Sequence, residues 1–263
     1  MSEGNFFFEA EGNRYHPTPR TRGPWDPQSL HGRVIAGLIA HQIEREYGEP
    51  AFQPSRLTVD MFRVAPMKPM TVTTTLVRDG NRIKVVDASM TDDEGTEIAR
   101  GNVVFLKRAE QPEGEVWSPP EWSAPSPDDV EPQPPPANAG ADWVPAWETR
   151  RIQGDFGTVG QKQAWIRETH ELVAGLAPSP FVRAAQASDF TNPFANSGST
   201  GLNFVNADTT LYLHRDPVGP WVGMEVAAHH SSNGVAIAEC VMYDLEGAFG
   251  RSSVCSVANR RRS

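Results

Sequence analysis

The sequence predicts an α+β chain built from two tandem copies of one unit, each a buried helix wrapped by an antiparallel sheet. Three observations carry this. A helix-period segment from His31 to Tyr47 is followed by four β-rich runs separated by turns. A second helical segment, Pro178 to Phe190, is again followed by four such runs. The two sets superpose without gaps at one offset of 152 residues: Arg63 falls on Arg215, Asn81 on Asn233, Met90 on Met242, Asp92 on Asp244 and Gly95 on Gly247. A match of that kind marks a duplication. The chain of 263 residues divides accordingly into an N-terminal unit over 1–108, a connector over 109–141 and a C-terminal unit over 142–263.

In order, Phe6 to Ala10 predicts a short strand, with a turn at Glu11-Gly12-Asn13 and extended chain through Tyr15. A proline-rich stretch from Pro17 to Pro27 delivers the chain to the first helix. There Val34 and Leu38, and Ile35, Ile39 and Ile43, recur at helical spacing, and Gly48 closes the last turn. Ala36, Gly37 and Ala40 predict close approach by another backbone, as when a sheet wraps the helix. Leu57 to Phe62, Met70 to Val77, Ile83 to Met90 and Ile98 to Leu106 predict strands. Asp79-Gly80-Asn81 and Asp92-Asp93-Glu94-Gly95 are turn sequences, so a consecutive antiparallel meander is expected.

Prolines at 119, 120 and 134–136 mark Ala109 to Asn138 as an extended connector, with Trp117 and Trp122 pinning it to a surface. Beyond it, Trp147 to Ile152 and Gln163 to Glu168 predict strands, then comes the second helix. Ser179 is placed to cap its first turn and Pro180 to occupy the first helical position, where a missing N–H costs nothing. Asp189 falls in the last turn, at the negative end of the helix dipole, an unfavourable place for an anion. Such a carboxylate is either neutralised by partners or kept for proton chemistry; the alternative is a solvent-facing Asp that ends the helix before Asn192-Pro193. At the repeat offset Asp189 falls on Gly37, so only the second helix carries an acid there. Asp208 to Leu213, Trp221 to Ala228, Val235 to Met242 and Phe249 to Val257 complete the second set of strands.

A net charge of −9 argues against a nucleic-acid partner, because phosphate binding needs concentrated Lys and Arg. The one basic cluster, Arg260-Arg261-Arg262, reads as a solvated tail. Hydrophobic residues make up 38%, enough for a core, and no apolar run approaches the roughly 20 residues of a membrane span. The N-terminus lacks the basic region and apolar stretch of a secretory signal, which predicts a cytoplasmic protein. Cys240 and Cys255 stand alone in strand-like segments and are expected as reduced core residues. His229 and His230, adjacent on a strand, point to opposite faces. With no HExxH, paired CxxC or glycine-rich phosphate loop, neither a metal nor a cofactor is expected.

Several segments resemble one family. Gly23-Pro24-Trp25-Asp26 followed by His31-Gly32 is similar to the entry segment of thioesterase-like proteins, and Leu76 to Asn81 resembles the second hairpin of the type II acyl-CoA thioesterases. In the second half, Ala187-Ser188-Asp189-Phe190, Asn203 to Asp208 and Leu211-Tyr212-Leu213-His214-Arg215 resemble that family's signature segments. The resemblance implies a double hotdog fold and hydrolysis of an acyl-CoA thioester to free acid and CoA. It places the family's catalytic carboxylate at Asp189 and, in the position of its Thr, Asn206, both orienting water for attack. Its Gln would fall in the final strand around Ser253-Val254-Cys255, where this chain has none. His31, Gly32 and Cys255 are the expected substrate-binding residues, with acyl-CoA as the partner and a homodimer as the assembly. A non-cleaving acyl-ligand binding protein and, further off, an acyl-CoA hydratase are the alternatives.

Overall fold

The structure is a computed structural model and describes residues 4–23, 26, 28–120, 122–134 and 147–259. Pro24 and Trp25 of the entry segment, Pro135 and Pro136, the connector's end at 141 and the Arg260 to Arg262 cluster lie outside the described residues. The chain opens with a hairpin, β1 (Phe6–Glu11) and β2 (Arg14–Pro17). Helix α1 (Gly32–Tyr47) follows, with Val34, Ile35, Leu38, Ile39 and Ile43 all buried. His31 caps its start, and the Gly48 N–H closes its end on the Glu44 carbonyl at 2.8 Å.

Four long strands come next: β3 (Phe52–Met61), β4 (Met70–Asp79), β5 (Ile83–Asp92) and β6 (Glu97–Lys107). β4, β5 and β6 are joined as hairpins, and Asp92 Oδ1 stabilises one turn by accepting from the Glu94 and Thr96 N–H groups. The four are not a simple meander. β3 pairs with β6 rather than with β4, so the chain between β3 and β4 crosses over the unit.

The second half repeats this plan with β7 (Trp147–Gln153), β8 (Gln163–Glu168) and then β9 (Glu171–Val173), which pairs in parallel with β1. Where the first half has one long helix, the second has two short ones, α2 (Pro180–Ser188) and α3 (Thr191–Asn196). A small hairpin, β10 (Ser197–Gly198) and β11 (Gly201–Leu202), leads to β12 (Phe204–Asn206) and β13 (Asp208–Leu213). The hairpin strands β14 (Val222–Ser232), β15 (Val235–Asp244) and β16 (Gly247–Ala258) complete the unit.

All but β10 and β11 belong to a single sheet, whose order is β7-β8-β14-β15-β16-β13-β3-β6-β5-β4-β2-β1-β9, with β12 paired to β16. The order is symmetric about the β13–β3 contact. Thr210 lies opposite Thr58, and their hydroxyls are 3.2 Å apart. These threonines differ by the repeat offset of 152, so the approximate two-fold axis of the duplication passes between them. This is the double hotdog arrangement, with one continuous core drawn from both halves.

Two packing expectations change. Gly37 is a close-approach position, but what approaches is the other helix: an added Cβ would meet Gln186 Cγ at 2.8 Å and Leu172 Cδ1 at 3.2 Å. Of the connector tryptophans, Trp122 packs against Trp165 and Tyr243, whereas Trp117 is exposed to solvent. Cys240 is a core residue as expected; Cys255 is not, and both are free thiols. Among the described residues no helix is long and apolar enough to cross a membrane.

Candidate active site

Asp189 is the C-cap of α2 and only 5% exposed, which excludes a solvent-facing helix end. The chain does not leave the helix for good there. Pro193 has no N–H to give the Asp189 carbonyl four residues back, which breaks one helix into α2 and α3. That carbonyl instead accepts from the Asn192 N–H at 3.3 Å.

The dipole objection to an anion at this point is answered from the other half of the chain. α1 packs antiparallel to α2, so the start of α1 faces the end of α2. A Cβ on Gly32 would fall 2.6 and 2.8 Å from the two Asp189 carboxylate oxygens. The positive end of one helix thereby offsets the negative end of the other. Only glycine admits the carboxylate so close to the backbone.

Two side chains converge on the same group. His31 Nδ1 lies 3.4 Å from Asp189 Oδ2, and Asn206 Nδ2 donates to Asp189 Oδ1 at 3.3 Å. Asn206 is oriented by a second bond, from Nδ2 to the Asp208 carbonyl at 3.1 Å, at the bend between β12 and β13. His31 Nδ1 is also 3.2 Å from the Arg33 N–H. Unprotonated it accepts that amide hydrogen; protonated it donates to Asp189, so the ring chooses between the two. Burial lowers the His31 pKa, with the Asp189 hydrogen bond opposing.

The surroundings hold this geometry. Ser252 Oγ, from β16, donates to the Ser188 carbonyl at 2.9 Å, and Thr209 Oγ1 donates to Ser188 Oγ at 3.3 Å. Phe190, Phe194, Phe156 and Trp147 form an aromatic wall beside Asp189, with Phe190 and Phe194 centroids 5.2 Å apart. Behind His31 and Gly32, the buried Arg33 stacks between Phe7 and Trp147 and pairs with Glu168 at 3.1 Å. Burial pulls the Arg33 pKa down, while Glu168 and then Asp189 oppose the shift. Burial also pushes Glu168 up to about 7 and the neighbouring His170 down to about 4.

The fold therefore brings Asp189, Asn206, His31 and Gly32 together, and it leaves Cys255 apart. Along β16, Ser252, Val254 and Ser256 are buried, whereas Cys255 points outward and is exposed. The residue opposite Asn206 is Ser256, whose Oγ donates to Asn192 Oδ1 at 3.2 Å and accepts from Asn196 Nδ2 at 3.0 Å. Polar groups from the final strand thus exist here as Ser252 and Ser256, which period-2 alternation along that strand could have exposed. Arg33 and Glu168 gave no comparable signal, because their pairing joins distant elements.

Two family patterns match the chain in tandem. The pattern described as "Acyl-CoA thioesterase N-terminal domain" matches residues 21–106, and that described as "Acyl-CoA thioesterase C-terminal domain" matches residues 127–253. Among curated proteins none matches the sequence. Among solved structures, a hot dog fold protein of unknown function from Alicyclobacillus acidocaldarius is similar, with TM-score 0.74, 17% identity, and 97% of this chain and 96% of that chain covered. A tesB protein from Mycobacterium avium subs paratuberculosis aligns with TM-score 0.71 and 15% identity over 96% of each chain. The acyl-CoA thioesterase II TesB2 from Mycobacterium marinum aligns with TM-score 0.64 and 18% identity over 97% of this chain and 96% of that one. Both family patterns, matched in tandem over most of the chain and on the fold that those structures share, establish that the chain belongs to the acyl-CoA thioesterase family.

Proposed function

We propose that the protein hydrolyses an acyl-CoA thioester to the free acid and CoA, with Asp189 as general base. The observation that carries this is a buried carboxylate seated against the first turn of α1, with Asn206 bonded to it. Water beside Asp189 gives it a proton as its oxygen adds to the thioester carbonyl carbon. Asn206 orients that water, and backbone N–H groups at the α1 start, near Gly32, receive the developing oxyanion. The C–S bond then breaks, the sulfur takes the proton back from Asp189, and acid and CoA leave. His31 contacts the thioester from the same helix start.

A second reading is a protein that binds an acyl-CoA without cleaving it. It draws support from Val254, an apolar inward residue in the strand where the family's Gln would fall. A panel of acyl-CoA esters, assayed for free-thiol release with ligand-induced melting shifts in parallel, separates the two. Thiol release supports hydrolysis; shifts without release overturn it in favour of binding. The same proposal places the protein in the cytoplasm as a homodimer, with neither a nucleic-acid nor a membrane partner. Charge supports the first exclusion, and the exposed apolar residues Val235, Ile237 and Val257 on adjacent strands support self-association.

A further inference from the structure

A cavity of about 570 Å³ opens beside the candidate site, lined among others by Phe204, Asn196, Ser197 and Lys162. Phe204 and Asn206 are two residues apart in β12, so their side chains share a face. The cavity wall therefore begins about 7 Å along the strand from the residue bonded to Asp189. Helix α3 leads the same way, since Asn196 at its end lines the cavity and donates to Asn192 Oδ1, three residues beyond Asp189. The cavity and the reaction centre are neighbours on one side of the same strand.

The polar content of this cavity is unusual. Lys162 is 2% exposed, and its Nζ donates to the Ser197 carbonyl at 2.7 Å. That contact places a cation at the C-terminal end of α3, a sound structural role. It engages one ammonium proton with a neutral partner, and among the described residues no carboxylate lines the cavity. Burial accordingly pulls the Lys162 pKa down. Ser197 Oγ, on a residue 6% exposed, has no hydrogen-bond partner among the described residues. An ammonium with protons to spare and an orphaned hydroxyl in one cavity call for an anionic acceptor. Among the described residues no Arg lines the cavity, and its other ionisable side chain, His229, is held toward the neutral form by burial and by the charges of His230 and Lys162. Phe204, Val226 and Ala228 supply apolar wall. One ammonium beside an apolar stretch of wall suits a carboxylate on a methylene chain; a phosphate dianion would call for more cationic donors.

We propose that this cavity binds a carboxylate at the far end of the acyl group, so that the preferred substrates are thioesters of dicarboxylic acids. This rests on the hydrolytic reading of Asp189, and binding of hydrolysis-resistant thioethers tests it separately. Titration calorimetry of the intact protein with S-(7-carboxyheptyl)-CoA, S-octyl-CoA and free CoA should show the carboxylated thioether bound about tenfold or more tightly than S-octyl-CoA. In Lys162→Met that ratio should fall to near one. Ser197→Ala, which keeps the backbone carbonyl that holds Lys162, should lower the ratio about threefold and covers the case of a misfolded lysine variant. Where hydrolysis is present, kcat/KM for suberoyl-CoA over octanoyl-CoA should follow the same pattern. Equal affinity for the carboxylated and the plain thioether in the parent protein would overturn the proposal. So would a parallel loss for both thioethers and for CoA in Lys162→Met, which would assign the lysine to the CoA moiety or to the fold.

Discussion

Gly32 and Asp189 constrain one another. Alanine in place of a helix glycine ordinarily stabilises by roughly 0.5–1 kcal/mol. Here the new Cβ would meet the carboxylate oxygens at 2.6 and 2.8 Å, so Gly32→Ala should lower the melting temperature and reduce kcat at least about tenfold. A stabilised and fully active Gly32→Ala would refute this seating of Asp189. Asn206→Ala removes a donor to Asp189 and should cost about tenfold in kcat, with KM little changed. An acid in an apolar helix was visible in the sequence at Asp189. What compensates it was not, because the compensating helix start belongs to the other half of the chain. Cys255 lies in the strand paired with Asn206's own but on its exposed face, which strand alternation fixes only once the inward residues are known.

Elements bring further groups to the site. Glu168, at the end of β8, has a pKa of about 7 against an ordinary 4.5. The fold thus favours its protonated form, and that contribution is full below about pH 4.5 and lost as pH rises through about 7. It is on the order of 3 kcal/mol. His170 is pushed from 6.5 down to about 4, so its contribution is full above about pH 6.5 and lost as pH falls through about 4. The two slopes oppose one another between about pH 4.5 and 6.5. Unfolding free energies from urea titrations should therefore climb more steeply with pH over this interval for Glu168→Gln than for the parent. Parallel profiles would contradict the assignment. The strands and α1 were legible from alternation and helical spacing, to within a few residues at their ends. α3 was not, because Asn192-Pro193 reads as a helix stop, whereas here the proline only breaks the helix and the chain turns onto β14, β15 and β16.

For the molecule as a whole, the duplication was legible as a constant offset, and the structure places that offset on the Thr58–Thr210 axis. The crossover between β3 and β4 was not legible, since turn residues report hairpins but not which strand fills the gap beside β6. Light scattering should give twice the 28.9 kDa chain mass; a single-chain mass would remove the homodimer. Two unequal halves join one carboxylate to one helix start, and hydrolysis is proposed at that junction. Asp189→Asn keeps the shape and removes the proton acceptor. Its kcat for acyl-CoA hydrolysis, followed by thiol release, should fall about 100-fold or more, with KM and melting temperature nearly unchanged. An Asp189→Asn protein that is folded and turns over at the parent rate would contradict the account.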